Sequence, residues 1–380
     1  MNNHPGTSPD RPLRVLHLTR GSRAGGVSRY LLDLCGQLHR HGHQPIVAGE
    51  RGIEHPAFAR EPWPWVDISA MRRPWNMWAD RRTLIRYLQT HPVDILHAHY
   101  RKPAIVGRWL ARRLKVPLVF TLHLADVPMN WWYRRLSEFG DYTHVPSAAA
   151  GRWLHAAARI PEKRIVLIPH GVDVWQFPQA AAEQQRAARA QLGLPPGAVL
   201  AAVVGRLAPQ KNPAWVLDLA QVCKERLPGV RFVMLGAEPG DTHWTAQIQT
   251  RGLAEQVRLL PYGPALPVYQ AADALLLPSQ FEGFALTVIE AMSVGRAVLR
   301  TRTAGVDEQI IENVTGRSVP VDHDAFISAG LDFLADPARL AQMGAAAARH
   351  VRTHLTLDQQ YERTIAFYRR VITEHPYRRT

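Results

Sequence analysis

The sequence predicts an α/β protein made of two doubly wound, Rossmann-like domains facing each other across a cleft. Three observations lead there. The chain has 380 residues, enough for two cores at about 150 residues per domain. Short apolar runs alternate with helix-period stretches in two separate blocks, the pattern of parallel strands joined by helical crossovers. Between the blocks lies a polar, Ala/Gln-rich stretch ending in Pro195-Pro196-Gly197, the composition of a linker.

The first block opens with the strand-like run Leu13–Leu18, followed by the glycine loop around Gly25-Gly26 and a helix over Ser28–His39. Pro45–Gly49 reads as the next strand, Arg81–Gln89 as a helix, Pro92–His97 as a strand, Ala104–Leu114 as a helix and Val116–Thr121 as a strand. The alternation then pauses until a strand at Ile165–Ile168. The second block has strands at 198–204, 231–235, 257–260, 274–277 and 297–301 with helices between them, and a last amphipathic helix spans about 357–371. The resulting domains are a disordered tail at 1–11, an N-terminal domain at 12–178, a linker at 179–197 and a second domain at 198–355, with 356–380 as a terminal helical segment. Ligands of such sheets sit beyond the carboxyl ends of the strands.

Composition narrows the function. Hydrophobic residues make up 46% and charged residues 21%, which argues against wholesale disorder. Two cysteines, Cys35 and Cys223, exclude a disulfide framework or a Cys-rich metal site. No apolar run approaches the roughly 18 residues that span a bilayer, and the first eleven residues have no leader-like apolar segment, so a cytoplasmic protein is expected. The net charge of +14 is unevenly placed: residues 1–180 hold 25 Lys and Arg against 13 Asp and Glu, and nine of the 11 tryptophans. A basic, Trp-rich half favours nucleic acid, anionic lipid or phosphorylated ligands. A solvated Arg-rich surface is the plainer alternative.

The sharpest local signal is the segment Pro278–Met292. Glu282 falls in the loop after a strand and Glu290 inside the following helix, about 12 Å apart if the intervening chain were all helical. Between them Gly283, Phe284, Ala285 and Leu286 open the helix, where unpaired N–H groups and the helix dipole favour an anion. A phosphate with a sugar on either side suits that spacing; an N-terminal helix acid and an ordinary helix residue are the plainer reading. In Val203–Asn212 a strand ends at Gly205, and Arg206 and Lys211 project from one loop, a cation pair suited to a diphosphate. The glycine loop at Gly25-Gly26 lacks the Gly-x-Gly-x-x-Gly spacing and no phosphate-loop motif occurs, which disfavours a nicotinamide dehydrogenase or a P-loop enzyme.

Together these segments resemble the retaining family 4 glycosyltransferases of the GT-B fold, over nearly the whole chain from Gly25 onward. Phe281–Glu290 fits the family's Glu-x7-Glu motif and Gly205–Asn212 its Gly-Arg…Lys-Asn loop. Asp94–His99 and Thr121–His123 fit its paired histidine segments, while Ala304-Gly-Val-Asp-Glu308 stands where Gly-Gly-x-Pro-Glu is usual. Two departures are His170 for the usual Asn and Ala304 for a loop glycine.

The resemblance implies roles. Arg206, Lys211 and the amides of Phe284, Ala285 and Leu286 would hold the donor diphosphate, with Gly283 and Gly26 also on the donor side and Glu290 on the ribose. Glu282 would contact the transferred sugar and His123 the reacting centre; Gly25 and His99 would lie on the acceptor side. No cofactor and no metal is required, and the last helix would cross back onto the first domain. The reaction implied is hexosyl transfer from a nucleoside-diphosphate sugar to a glycan or polyprenyl-diphosphate-linked acceptor, in bacterial exopolysaccharide, O-antigen or lipopolysaccharide synthesis. Retention would proceed by same-face attack, with the leaving phosphate taking the acceptor's proton.

Three further motifs have plainer readings. Asp322-His-Asp324 spells a metal-binding Asp-x-Asp but sits where a helix N-cap belongs. His97 and His99 alternate at a strand end, so only one is expected to face the cleft and His97 to be packed. Two Trp/Arg clusters, Trp63-Pro-Trp65 with Arg72, Arg73, Trp75 and Trp78, and Met129–Arg135, are either core anchors or membrane contacts. The charge and the Trp clusters predict peripheral attachment to an anionic membrane on its cytoplasmic face. A nucleotide-sugar epimerase or phosphorylase of the same fold is the alternative enzyme. A basic nucleic-acid-binding protein would need a recognition module that the sequence lacks, so no nucleic-acid partner is expected.

Overall fold

The computed structural model describes residues 11–21, 25–50, 58–69, 76–125, 129–240 and 242–375. The chain divides into two units at Pro169/His170 and again at Thr356/Leu357, so the segment from Leu357 onward belongs with the first unit.

The first unit holds a parallel sheet of β1 (Arg14–Gly21), β2 (Gln44–Glu50), β3 (Trp65–Asp67), β4 (Ile95–Ala98), β5 (Leu118–Thr121), β6 (Tyr142–Val145) and β7 (Ile165–Leu167), in spatial order 3-2-1-4-5-6-7. The crossovers are α1 (Gly26–Arg40), α2 (Asn76–Thr90), α3 (Arg101–Leu114), α4 (Trp131–Arg135) and α5 (Ala148–Ala158). Strands β1 and β4 are almost continuously buried because the sheet is covered on both faces. Helix α1 turns Tyr30, Leu31, Leu34, Cys35 and Leu38 inward, the stripe expected at helical spacing.

The second unit holds α6 (Ala182–Gln191), β8 (Val199–Val204), α7 (Pro213–Arg226), β9 (Val230–Ala237), α8 (His243–Thr250), β10 (Val257–Pro261), α9 (Leu266–Ala271) and β11 (Ala274–Leu277). It continues with α10 (Leu286–Ser293), β12 (Ala297–Thr301), α11 (Val306–Gln309), β13 (Gly316–Val319), α12 (His323–Leu334) and α13 (Pro337–His354). Its sheet is parallel, in order 10-9-8-11-12-13. The strand order reverses at β1/β4 in one unit and at β8/β11 in the other, the switch points where doubly wound sheets bind ligands.

Three strands escape the sequence reading, and each is short. The pause expected between Thr121 and Ile165 contains β6, whose Tyr-Thr-His-Val composition hides it. Its polar members are satisfied inside: Thr143 Oγ1 donates to Phe139 O at 2.7 Å, and His144 Nε2 lies 2.7 Å from Ile168 O. β3 and β13 are the others. The stretch 179–197, expected as a linker, carries α6. Its Ala-rich sequence favours a helix but offers only Ala188 as a buried residue, so no apolar stripe announces it. Arg189 Nη2 bonds Asp273 Oδ2 at 2.6 Å and Gln185 Nε2 donates to Ala272 O at 2.9 Å, tying α6 to the start of β11.

The final helix, α14 (Leu357–Glu374), packs in the first unit against α1. Gln37 Nε2 donates to Asp358 Oδ1 at 3.0 Å, the Tyr361 ring stacks on His41 at 4.0 Å, and Tyr368 is fully buried.

Two glycines shape the loop after β8. Gly236 has φ +131°, and a Cβ there would stand 2.1 Å from the Gly205 carbonyl oxygen, so the ends of β8 and β9 approach only without a side chain. Gly236→Ala is expected to cost about 3 kcal/mol or more through overpacking and backbone strain. That corresponds to a loss of roughly 10 °C in the melting of the second unit. Melting at the wild-type temperature would contradict this.

Candidate active site

In the second unit the loop after β8 is built to hold Lys211. Asn212 takes a left-handed conformation (φ 45°) that closes a short 3-10 turn at Pro209–Lys211, and Pro213 starts α7 at once. Three bonds then fasten this loop to the one after β11. Gln280 N donates to Gln210 O at 2.8 Å, Asn212 Nδ2 to Pro278 O at 2.9 Å, and Gln280 Nε2 to Asn212 Oδ1 at 3.0 Å.

The clamp brings Lys211 Nζ to 2.7 Å from Glu282 Oε1, and Ser279 Oγ donates to the same oxygen at 2.7 Å. Burial alone would raise the Glu282 carboxyl. The Lys211 charge, hydrogen bonds from Lys211 and Ser279, and the Arg300 charge outweigh it and hold the group below the usual carboxylate range. Glu282 is therefore ionised near neutrality and accepts hydrogen bonds; it cannot serve as a proton donor.

Behind Glu282 lies a buried network absent from the sequence reading. Arg300, fully buried on β12, donates to Gln309 Oε1, to Thr303 Oγ1 at 2.6 Å and to the Ala304 carbonyl at 3.3 Å. Burial pulls its guanidinium down to about 10, while Glu282, Glu308 and Asp307 oppose the shift, so it stays charged at neutral pH. Gln309 Nε2 in turn donates to Ala285 O at 2.9 Å, fixing the residue that precedes α10. Gly305 (φ +83°) sits so close that a Cβ would lie 3.1 Å from Gly283 O and 3.2 Å from Phe284 Cα. The 304–305 turn thus braces the start of α10 with Ala304 in place.

Glu290, partly buried within α10, accepts a hydrogen bond from the fully buried Tyr269 hydroxyl at 2.8 Å. Burial, then the Glu290 charge and hydrogen bond, keep Tyr269 neutral. Lys211 and Glu282 therefore meet just ahead of α10, whose first amides have no partner within the helix, and Glu290 lies farther along that helix. Arg206 lies on the same loop as Lys211, its side chain exposed and without an ion pair among the described residues. Asp322 caps α12, its Oδ1 accepting from Ala325 N at 2.8 Å, as the N-cap reading expects.

In the first unit the histidine segments form a larger assembly than expected. His97 is packed as expected, its nitrogens against Tyr368 and Thr121. His99 is buried beside it with ring centres 4.2 Å apart, because residues two apart along an extended chain share a face, so the expected alternation of the two is corrected. His17 of β1 pairs in register with His97, and His144 of β6 with Thr121 of β5. His17 Nδ1 lies 3.0 Å from His99 Nε2, and His99 Nδ1 lies 3.2 Å from His123 Nε2, a chain of three imidazoles. A second chain runs from Tyr368 OH through His97 and Thr121 to His144.

Burial lowers all five rings: His17 and His123 to about 3, His144 to about 4 despite the Ile168 carbonyl, and His97 and His99 well below the ordinary value, with the neighbouring imidazoles adding to the effect. They are neutral at physiological pH. Nitrogens of His17, His97 and His99 lie within 4.8 Å of one another, the grouping among the described residues with metal-ligand potential. Both nitrogens of His97 and both of His99 are committed to hydrogen bonds, leaving His17 Nε2 as the one buried nitrogen of the three without a partner. The arrangement is a hydrogen-bond network. Gly25 and Gly26, at the head of α1, are exposed, and a Cβ on either would meet nothing within 4 Å. Such bare backbone leaves room for a ligand's close approach.

Of the two Trp/Arg clusters, Trp63 is only 8% exposed and packs with Leu31, Cys35 and Val47, so it anchors the core. Arg72, Arg73 and Trp75 lie outside the described residues. Trp131 and Trp132 are exposed.

Comparison with known proteins shows the family and the fold. Residues 24–176 match the family model described as Glycosyltransferase Family 4, and residues 184–350 match that of Glycosyl transferases group 1. Over 399 residues the chain is 34% identical to D-inositol 3-phosphate glycosyltransferase of Mycolicibacterium paratuberculosis, spanning 93% of this chain and 87% of that protein. The enzyme of the same description from Mycobacterium avium is 33% identical over 93% of this chain and 90% of its own. Among solved structures, Anabaena HepE in complex with UDP-glucose has a TM-score of 0.79 at 20% identity, covering 93% of this chain and 98% of that one. Sucrose-phosphate synthase from Thermosynechococcus elongatus gives 0.79 at 20% identity over 95% and 99%.

Proposed function

This chain belongs to the GT-B-type glycosyltransferases, and on that premise we propose that it moves a hexosyl group from a nucleoside-diphosphate sugar to a hydroxyl acceptor with retention at the sugar carbon. The observation that carries the reading is the Lys211–Glu282 pair beside the start of α10.

In this reading Lys211, Arg206 and the amides of residues 284–286 take the diphosphate, and Glu290, steadied by Tyr269, takes the ribose hydroxyls. Glu282, ionised by its partners, accepts hydrogen bonds from the transferred sugar. The sugar–phosphate C–O bond breaks as the acceptor oxygen attacks from the same face, and the departing phosphate oxygen receives the acceptor's proton. Charge growing on the leaving group is met by groups already in place, so the step requires no metal. His123, neutral and hydrogen-bonded through His99, serves the reacting centre as a hydrogen-bonding group. Gly26 is assigned to the donor, and Gly25 and His99 to the acceptor.

The acceptor is proposed to be phosphate-bearing, since the basic excess lies in residues 1–180. A glycan or polyprenyl-diphosphate-linked acceptor is the first reading, with the protein held peripherally on the cytoplasmic face of an anionic membrane. No helix among the described residues is long and apolar enough to cross one. A soluble inositol phosphate is the second, supported by the description of the relatives at 33–34% identity.

A thermal-shift panel of nucleoside diphosphates and their sugars tests the donor half. One base should stand out by about 3 kcal/mol of stabilisation at a hundredfold excess over its dissociation constant. Glu290→Ala is expected to weaken that shift, whereas Glu282→Ala keeps it and lowers turnover. No shift with any nucleotide, or equal losses in both variants, would overturn the assignment.

A further inference from the structure

We propose that α4 and an arginine-lined pocket beside it form the surface by which this protein docks on an anionic lipid membrane, the pocket taking a lipid phosphate headgroup. The proposal rests on the membrane reading above and names the residues responsible.

The first observation is exposed aromatic surface with no partner in the fold. None of the residues of α4 is buried: Trp131, Trp132 and Tyr133 are 56%, 54% and 53% exposed, and Leu136, next after the helix, is 69% exposed. Scattered apolar residues on a surface are ordinary, whereas two indoles stacked at 3.8 Å with a tyrosine and a leucine within six residues make a patch. The patch is held in shape. Asn130 Oδ1 accepts from Tyr133 N at 2.8 Å, and Arg101 lies 4.9 Å over the Tyr133 ring while donating to Ser137 Oγ at 3.1 Å.

The second observation is a pocket of about 490 Å3 whose lining includes Arg108, Arg112, Arg134, Arg164, Glu138 and Asp141. Two of its arginines are spent on the fold: Arg108 pairs with Glu138 at 2.9 Å and Asp141 at 2.6 Å, and Arg164 donates to the carbonyls of Asp141 and Gly140. Arg112 and Arg134 have no side-chain hydrogen bond or ion pair among the described residues, so two guanidiniums remain for an anion. Arg134 belongs to α4 itself, which makes patch and pocket one surface. Indole rings seat at the boundary of headgroup and acyl chain, and guanidinium groups bind phosphate bidentately, so the same object satisfies both halves. The pocket lies near the start of β6, at the opposite end of that strand from the loops that follow the strand ends and carry His99 and His123.

Flotation with vesicles tests the proposal, using the full chain at low salt. Wild type should float with phosphatidylglycerol-containing vesicles and not with pure phosphatidylcholine. Trp131→Ser/Trp132→Ser and, separately, Arg112→Glu/Arg134→Glu should each lower partitioning at least about tenfold, with unchanged melting temperature and unchanged nucleotide binding. If wild type floats and both variants float equally well, this surface is wrong while the membrane reading stands. If wild type does not float, both fall. Phosphate binding in the pocket by calorimetry without any vesicle partition also overturns the proposal.

Discussion

Taking the protein from pH 7 to about pH 5 should unfold the first unit, or lower its melting temperature steeply, while it stays folded at neutral pH. In the unfolded chain each histidine protonates near pH 6.5. In the folded unit burial lowers that to about 3 for His17 and His123 and about 4 for His144. Between those limits the unfolded state binds more protons, so stability is complete above the unfolded value and is lost as the pH falls toward the folded ones. At pH 5 each of these three rings costs roughly 2 kcal/mol, roughly 6 kcal/mol together, against about 5–15 kcal/mol for a whole domain. His97 and His99 add to the loss with the same sign. Calorimetry across this range checks the effect, and His17→Phe should flatten the slope by about one proton. A melting temperature unchanged from pH 7 to 5 would refute the burial of this network.

Lys211→Ala should lower turnover about 10²–10³-fold, the usual consequence of removing one group that meets developing charge in a transition state. It should also destabilise the second unit by about 3 kcal/mol, because Glu282 is left as a buried carboxylate without its ammonium. With Lys211 gone, burial is opposed only by Ser279 and Arg300, so the Glu282 carboxyl should titrate higher. Adding Glu282→Gln in the same chain should restore stability and leave turnover low. Recovery of turnover in that double variant would contradict a role for Lys211 beyond holding Glu282.

Much of the second unit was legible in the sequence. The strands β8, β9, β10, β11 and β12 are apolar runs with turn residues around them, and Glu282 and Glu290 bracket a glycine at a helix start, all within nine residues. Tyr269, Arg300 and Gln309 were not legible. An isolated Tyr, Arg or Gln in a sequence is most often a surface residue, and only packing puts Arg300 in the interior between Gln309 and the Thr303–Ala304 turn. Helix α6 was misread for the opposite reason, since it is held by Arg189 and Gln185 at its flank where an apolar stripe would have been visible. The histidines divide the same way: Asp94–His99 and Thr121–His123 stand out as motifs, whereas His17 is a single residue inside the run Leu13–Leu18 and His144 belongs to a strand the sequence hides.

The sequence by itself determined what neighbouring residues encode: the β/α alternation in two blocks, the helix start at 283–286, the cations of the 205–212 loop and the basic excess of the first 180 residues. The tertiary structure alone decided which distant residues meet. Sheet order 3-2-1-4-5-6-7 places β1, β4, β5 and β6 side by side, and therefore collects His17, His97, His99, His123 and His144 from across about 130 residues of chain. Strand neighbours are chosen by burial on both faces of a sheet, a property of the whole core rather than of any segment.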